Sequence, residues 1–301
     1  MRSLRFDGRV AVVTGGGTGI GAEHARLLAS RGAAVVVNDL DGNAADAVVA
    51  SIIAAGGTAT AVASDIALEA GAAAPVDTAR REFGRIDIVV NNAGILRSSP
   101  FGDLDVEQWD RMIAVNLRGT FLVTHAAWPL LAAQGYGRVV STTSNSGLLG
   151  VKGSSAYASA KAGVWGLTRS LSLEGAELGI HVNAIGPMAY TAMSAASKIA
   201  PKSWQTGEGD DWSRRLDVAR VSPVVAWLAH EDCTLNGQVL SAVGGRVARF
   251  AMRVTDGFDD ENLTPEAIRD HETDLLDPDD VGTEFRAAFE EGQAVHRRLL
   301  D

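Results

Sequence analysis

Val10-Ala11-Val12-Val13-Thr14-Gly15-Gly16-Gly17-Thr18-Gly19-Ile20-Gly21-Ala22 passes from an apolar run, through glycines, into an alanine-bearing stretch. The valine-rich run Val10 to Val13 reads as a short parallel strand buried on both faces. From Ala22 to Arg31, the placing of Ala25, Leu27 and Leu28 predicts a helix that stops at Gly32. Strand, glycine turn and helix in that order suit a pyrophosphate. Glycines let the backbone approach the phosphates, and the helix start offers free N–H groups and partial positive charge. Gly15, Thr18, Gly19, Ile20 and Gly21 are the candidate cradle residues. Taken alone, the run reads equally well as a plain tight turn.

The next apolar run, Ala34-Val35-Val36-Val37-Asn38-Asp39, adds weight to the first reading. Asp39 closes a predicted strand 18 residues past Gly21. A carboxylate there accepts hydrogen bonds from an adenosine ribose and repels a 2′-phosphate. Leu40 follows it rather than Arg, and Thr18 is not basic, so the pattern favours NAD(H) over NADP(H). The other reading of Asp39 is an acid opening the turn Asp39-Leu40-Asp41-Gly42.

Further along, strands are predicted over 58–63, 86–90, 138–143, 181–185 and 238–241. Helices are predicted over 43–55, 68–83, 105–134, 155–178 and 218–230, with Pro75 interrupting the second of these near its first turns. This alternation predicts an α/β fold: a Rossmann-like, doubly wound parallel sheet of seven strands in a single domain with a C-terminal extension. Asn91-Asn92-Ala93-Gly94 follows the fourth strand, where an Asn pair, a small residue and Gly let a loop lie against a flat ring, or equally make a well-bonded turn. Asn116 and Gly119 interrupt the long, otherwise apolar helix over 105–134, and local breaks of this kind go with function or close packing. Residues 188–216 show no clear period and are too long for a simple connection.

The chemistry centres on Ser144 and on Tyr157-Ala158-Ser159-Ala160-Lys161. Tyr157 and Lys161, four apart, share one helix face. Ser144 follows the strand over 138–143, so a strand end and a helix start can bring hydroxyl, phenol and ammonium together. A free phenol has a pKa of about 10. A neighbouring lysine cation would lower it, and a serine hydroxyl can hold a reacting oxygen beside it. On its own, a Tyr-x-x-x-Lys pair is also what an ordinary surface helix shows.

Composition narrows the partners. A net charge of −10 argues against a nucleic-acid backbone. Most of that charge lies after Arg246, where 15 Asp and Glu face 7 Arg and no Lys. We therefore divide the chain into 1–245, the cofactor and catalytic domain, and 246–301, an acidic extension packed on that domain or on a neighbouring subunit. In the extension, Leu263-Thr264-Pro265-Glu266 reads as a capped start for a short helix, and a weak helix is expected over 282–300. Cys233 is the only cysteine, and the six His show no metal-ligand spacing. Met1 to Gly8 carries no apolar leader, no run of 18 apolar residues exists, and the ending Arg297-Arg298-Leu299-Leu300-Asp301 is not Ser-Lys-Leu. A soluble cytoplasmic protein without a metal is expected.

Thr14-Gly15…Gly19-Ile20-Gly21, Asp65, Asn91-Asn92-Ala93-Gly94, Asn116, Ser144, Tyr157 and Lys161 together resemble the short-chain dehydrogenase/reductase family over residues 6–245. Val36-Val37-Asn38-Asp39-Leu40, Trp227-Leu228-Ala229-His230-Glu231, Asn236-Gly237-Gln238 and Leu263-Thr264-Pro265-Glu266-Ala267 are similar to its (3R)-hydroxyacyl-CoA and 17β-hydroxysteroid dehydrogenase branch. The resemblance implies an NAD-dependent enzyme acting on a small alcohol or ketone, usually as a homotetramer in which the two long helices form one interface. It implies Tyr157 as general acid/base, Lys161 on the nicotinamide ribose, Ser144 orienting the substrate oxygen, and Asn116 holding a relay water. It also implies Gly15, Gly19 and Gly21 along the pyrophosphate, Asp39 on the adenine ribose and Asp65 and Ile66 beside the adenine. Asn92, Ala93 and Gly94 would lie along the cofactor, and Pro187 and Thr191 near the carboxamide. Many members carry Pro-Gly where this chain has Pro187-Met188; Met188, with Val151, Met193 and Trp204, reads either as pocket wall or as ordinary loop packing. A catalytically silent NAD-binding scaffold is the rival reading. It predicts loss of Ser144, Tyr157 or Lys161, and all three are present.

Overall fold

The computed structural model describes residues 3–193 and 215–298. Its strands are β1 (Val10–Thr14), β2 (Ala34–Asp39), β3 (Thr58–Ala63), β4 (Ile88–Asn91), β5 (Gly137–Thr142), β6 (Ile180–Met188), β7 (Val239–Val243) and β8 (Arg246–Phe250). They form one sheet in the order β3-β2-β1-β4-β5-β6-β7-β8. The neighbours from β3 to β7 all run parallel. Parallel neighbours need crossovers, supplied by α1 (Gly19–Ser30), α2 (Gly42–Ala54), α3 (Glu69–Phe83), α4 (Val106–Ile113), α5 (Gly119–Gln134), α7 (Ser155–Gly175) and α8 (Ser222–Ala229). The short α6 (Ser146–Leu149) follows β5.

Side-chain alternation along the strands builds two cores. Ala11, Val13, Val35 and Val37 pack with Ala25 and Leu28 of α1, Val48 and Ile52 of α2 and Val225 and Leu228 of α8. Val10, Val12 and Val36 pack on the other side with Val76 and Ala79 of α3 and Val123, Ala127 and Leu131 of α5. Covered on both faces, the strands tolerate unbroken valine runs.

The sheet has eight strands, not the seven expected. The regular pattern was expected to stop at Arg246. Instead Gly244 (φ 59°) and Gly245 (φ 87°) make a two-residue turn. Two successive positive φ values suit a tight hairpin, which folds β8 back beside β7. The helix expected over 105–134 is also interrupted. Between α4 and α5, Ala114–Arg118 forms a π-helical turn centred on Asn116. By contrast, α3 runs through Pro75. Proline has no N–H for the Gly71 carbonyl one turn back, and the Ser64 hydroxyl donates to that carbonyl at 2.7 Å. The helix after the glycine run begins at Gly19, earlier than the Ala22 expected, with Gly19 itself left-handed (φ 53°) at its first position. The helix expected over 218–230 is a 3-10 turn, Val218–Arg220, followed by α8 with Pro223 in its first turn.

The chain divides into two compact units, Met1–Arg249 and Phe250–Asp301. The second carries α9 (Pro265–Asp270), α10 (Glu272–Leu275) and α11 (Ala288–Arg298). Thr264 caps α9, its hydroxyl accepting from the Ala267 N–H at 3.1 Å. The weak helix expected from Gly282 starts only at Ala288. Gly282 (φ 58°) is left-handed, and Thr283 bridges Val254 in extended backbone. Phe258 stacks on His271 with ring centroids 4.4 Å apart.

Candidate active site

Winding of the sheet reverses between β1 and β4, and a crevice opens there beyond the strands' carboxyl ends. Thr14 ends β1 fully buried. Its hydroxyl accepts from the N–H groups of Asn92 (3.1 Å) and Ala93 (3.2 Å). The Asn92 amide returns bonds to the carbonyls of Thr14 (3.2 Å) and Gly15 (3.1 Å). These bonds fix the glycine turn against the loop after β4. Gly21 lies beneath that junction: a Cβ there would fall 2.1 Å from the Gly15 oxygen and 2.4 Å from Asn92 Nδ2. Gly21 is thus a close-packing glycine and is absent from the cleft lining, whereas Gly15, Thr18, Gly19 and Ile20 line it.

Asp39 ends β2 beside the glycine turn. Its carboxylate accepts from the Gly17 N–H at 2.9 Å and the Asp41 N–H at 3.1 Å, which fixes it at the rim next to the exposed Leu40. Asp41, not Asp39, caps α2, accepting from the N–H groups of Asn43 and Ala44. Asp65 and Ile66 line the same cleft, and Asp65 pairs with Arg111 at 3.4 Å.

At the other end stand the residues of β5 and α7. Ser144 is 8% exposed, and its oxygen accepts from the Ser146 N–H at 3.1 Å. Its hydroxyl donates to Asn145 Oδ1 at 3.4 Å, and it lies near enough to the Tyr157 phenol to favour the phenolate. Burial pushes the Tyr157 phenol above its usual range, and Ser144 pulls it back only in part. The sequence led us to expect a lowered phenol. The difference arises because the phenol's own burial outweighs what favours the phenolate; Lys161 is itself buried, at 3% exposure, and burial draws it down to about 8. Its Nζ lies 5.7 Å from the Tyr157 ring centroid and donates to the Thr142 carbonyl at 2.7 Å.

Asn116, wholly buried in the π-turn, holds the loop after Gly94. Its Nδ2 donates to the carbonyls of Ile95 (3.0 Å) and Met112 (3.1 Å), and its Oδ1 accepts from the Ile95 N–H at 3.2 Å. Both amide hydrogens are therefore committed to protein carbonyls. The Asn116 carbonyl accepts from the Thr120 hydroxyl at 3.1 Å.

Of the site residues expected from the sequence, all but Gly21 line one cleft of about 670 Å³: Gly15, Thr18, Gly19, Ile20, Asp39, Leu40, Asp65, Ile66, Asn92, Ala93, Gly94, Asn116, Ser144, Tyr157, Lys161, Pro187 and Thr191. That volume is in the range of small-molecule sites. Val151, Met188 and Met193 line it as well, while Trp204 lies outside the described residues. Sequence reading missed Asn38, Ser64, Leu96, Ser154, Tyr190 and Leu216 in the lining. Asn38 had a usable signal, as a polar residue closing an apolar strand. It is buried, and donates to the Ser64 hydroxyl at 2.8 Å. Among the described residues, no group of His, Cys, Asp and Glu could hold a metal ion, and no helix is long and apolar enough to cross a membrane.

Residues 9–202 match the family described as short chain dehydrogenase. Peroxisomal multifunctional enzyme type 2 of Mus musculus is 42% identical over 287 residues, covering 91% of this chain and 37% of that protein. A short-chain type dehydrogenase/reductase of Mycobacterium tuberculosis is 44% identical over 258 residues, covering 83% of this chain and 87% of that one. Among solved structures, full-length peroxisomal multifunctional enzyme type 2 from Drosophila melanogaster superposes with a TM-score of 0.81 at 33% identity, over 99% of this chain and 50% of that chain. The chain thus spans just over a third of the mouse relative, half of the Drosophila structure and most of the bacterial relative.

Proposed function

The chain belongs to the short-chain dehydrogenase family, and on that premise we propose that it is an NAD(H)-dependent oxidoreductase interconverting a secondary alcohol and a ketone. One observation carries the reading: a single cleft is lined by Asp39 and by Ser144, Tyr157 and Lys161. The glycine turn fits a dinucleotide, since it keeps side chains out where α1 begins and the first N–H groups of a helix have no partner within it.

A bound nicotinamide supplies the hydride acceptor or donor. The protein supplies orientation and a proton path. In oxidation, Tyr157 as phenolate takes the alcohol proton; in reduction, the phenol donates it to the carbonyl oxygen. Ser144 hydrogen-bonds that same oxygen. An ammonium has three donors, and Lys161 spends one on the Thr142 carbonyl. The other two are available to ribose hydroxyls and to a phenolate. Asp39 would accept from the adenine ribose, with Asp65 and Ile66 beside the base.

The apolar side chains of Leu96, Val151, Met188 and Met193 in the lining favour an apolar alcohol: a hydroxysteroid, a 3-hydroxyacyl thioester or another ring or chain alcohol. A second hollow of about 700 Å³ shares Gly94, Ile95, Leu96, Arg111 and Met193 with the cleft and offers room for a long substrate. We assign cofactor binding and catalysis to residues 1–245, with 246–301 an acidic extension whose first five residues, β8, complete the sheet. A cytoplasmic homotetramer completes the proposal.

The test is reduced-nicotinamide absorbance with NAD or NADP and a panel of secondary alcohols. NADH formation is expected, with NADP at least about tenfold poorer because a 2′-phosphate meets the Asp39 carboxylate. Preference for NADP would overturn the cofactor assignment.

A further inference from the structure

Ser154 opens α7 three residues before Tyr157. At such a position a serine hydroxyl ordinarily accepts from an N–H two or three residues on. Here it makes no such bond. The backbone of Ser154 is satisfied without it: its N–H donates to the Val151 carbonyl at 3.1 Å, and its carbonyl accepts from the Ala158 N–H at 2.8 Å. The hydroxyl itself is buried without a hydrogen-bond partner, in a residue 2% exposed. An unpaired buried hydroxyl is unfavourable, and its partner is to be sought in a ligand or a water. Ser98 and Ser155 also bury hydroxyls without partners, but neither lines the cleft, whereas Ser154 lines it with Ser144 and Tyr157.

Counting hydroxyls then constrains the substrate. An alcohol or ketone oxygen is held by Tyr157 and Ser144 in the proposed reaction. That one oxygen leaves the third hydroxyl unanswered. We propose that Ser154 is a second substrate-binding hydroxyl, and that the preferred substrates carry a further oxygen close to the carbinol carbon, which accepts from it. The inference rests on the oxidoreductase reading above and assigns it a specificity residue.

The experiment compares wild type and Ser154→Ala with NAD and two alcohols of like chain length, ethyl 3-hydroxybutanoate and 2-heptanol. Only the ester carries a second oxygen acceptor. In the variant, kcat/KM for the ester is expected to fall about tenfold, the worth of one hydrogen bond, and that for 2-heptanol to stay within about twofold. The melting temperature is expected not to fall, because no capping bond is lost. Ser154→Thr, which keeps the hydroxyl, is expected to keep the discrimination between the two alcohols. Turnover of both alcohols with an unchanged ratio would mean that water alone satisfies Ser154, and would overturn the assignment by itself. A drop in melting temperature with equal losses on both alcohols would make Ser154 a helix cap and would also overturn it. No turnover of either alcohol by wild type would bring down the oxidoreductase reading and this inference with it.

Discussion

The Lys161 ammonium is almost wholly buried and donates to the Thr142 carbonyl at 2.7 Å, and burial draws its pKa from 10.5 to about 8. With its folded pKa below its unfolded value, the folded state binds fewer protons between about 8 and 10.5. Stability therefore rises with pH across that window, and at neutral pH the buried ammonium is a cost. Lys161→Met is expected to raise the unfolding free energy at pH 7 by on the order of 1–3 kcal/mol and to remove turnover. Denaturant titrations at pH 7 and pH 10 check this. The variant's advantage should shrink at the higher pH. The spacing of Tyr157 and Lys161 was legible in the sequence because four residues make one helical turn whatever surrounds them. The direction of the phenol pKa was not legible, because it depends on how deeply the pair is buried. Ser154 was hidden for a related reason: a serine opening a helix reads as a cap, and only its folded geometry shows that it does not cap.

At the level of elements, the interrupted helix α4–α5 shows what periodicity leaves out. Asn116 and Gly119 were visible as irregularities in an apolar lining, but a one-residue change of winding leaves no repeat to detect. π-turns of this kind often sit at functional sites. This one lets the Asn116 amide satisfy both the N–H and the carbonyl of Ile95. Asn116→Ala leaves those groups and the Met112 carbonyl short of partners. It is expected to cost about 1–3 kcal/mol and to weaken NADH binding through the loose loop after Gly94. Unfolding curves and NADH fluorescence titrations measure the two effects; a variant with wild-type values in both would contradict the role given to Asn116. The eighth strand escaped notice for a similar reason. Gly244-Gly245 is a hairpin turn only if both residues are left-handed, a fact of conformation rather than of composition.

For the whole molecule, the alternation of strands and helices was enough to place the site, because a doubly wound sheet has one crevice at the reversal of strand order. Valine runs covered on both faces made the strands easy to find. The acidic residues after Arg246 offer no comparable pattern, since exposed polar chain has no period to read. The proposed tetramer draws on the outer face of α5 and α7, where Phe121 is 44% exposed with its ring 5.3 Å from that of His125, and Leu173 is 52% exposed. A charge buried at such a face without a partner opposes association. Phe121→Glu is expected to shift sedimentation from tetramer to smaller species, and an unchanged tetramer would move the interface elsewhere. The account as a whole depends on one phenol carrying the proton in a cleft that holds NAD. The most direct measurement is therefore the turnover of Tyr157→Phe with NAD and an alcohol that wild type oxidises, in protein shown by fluorescence to bind NADH. The account predicts a loss of roughly 10³-fold or more with NADH affinity within about twofold of wild type. Turnover at the wild-type rate would contradict it.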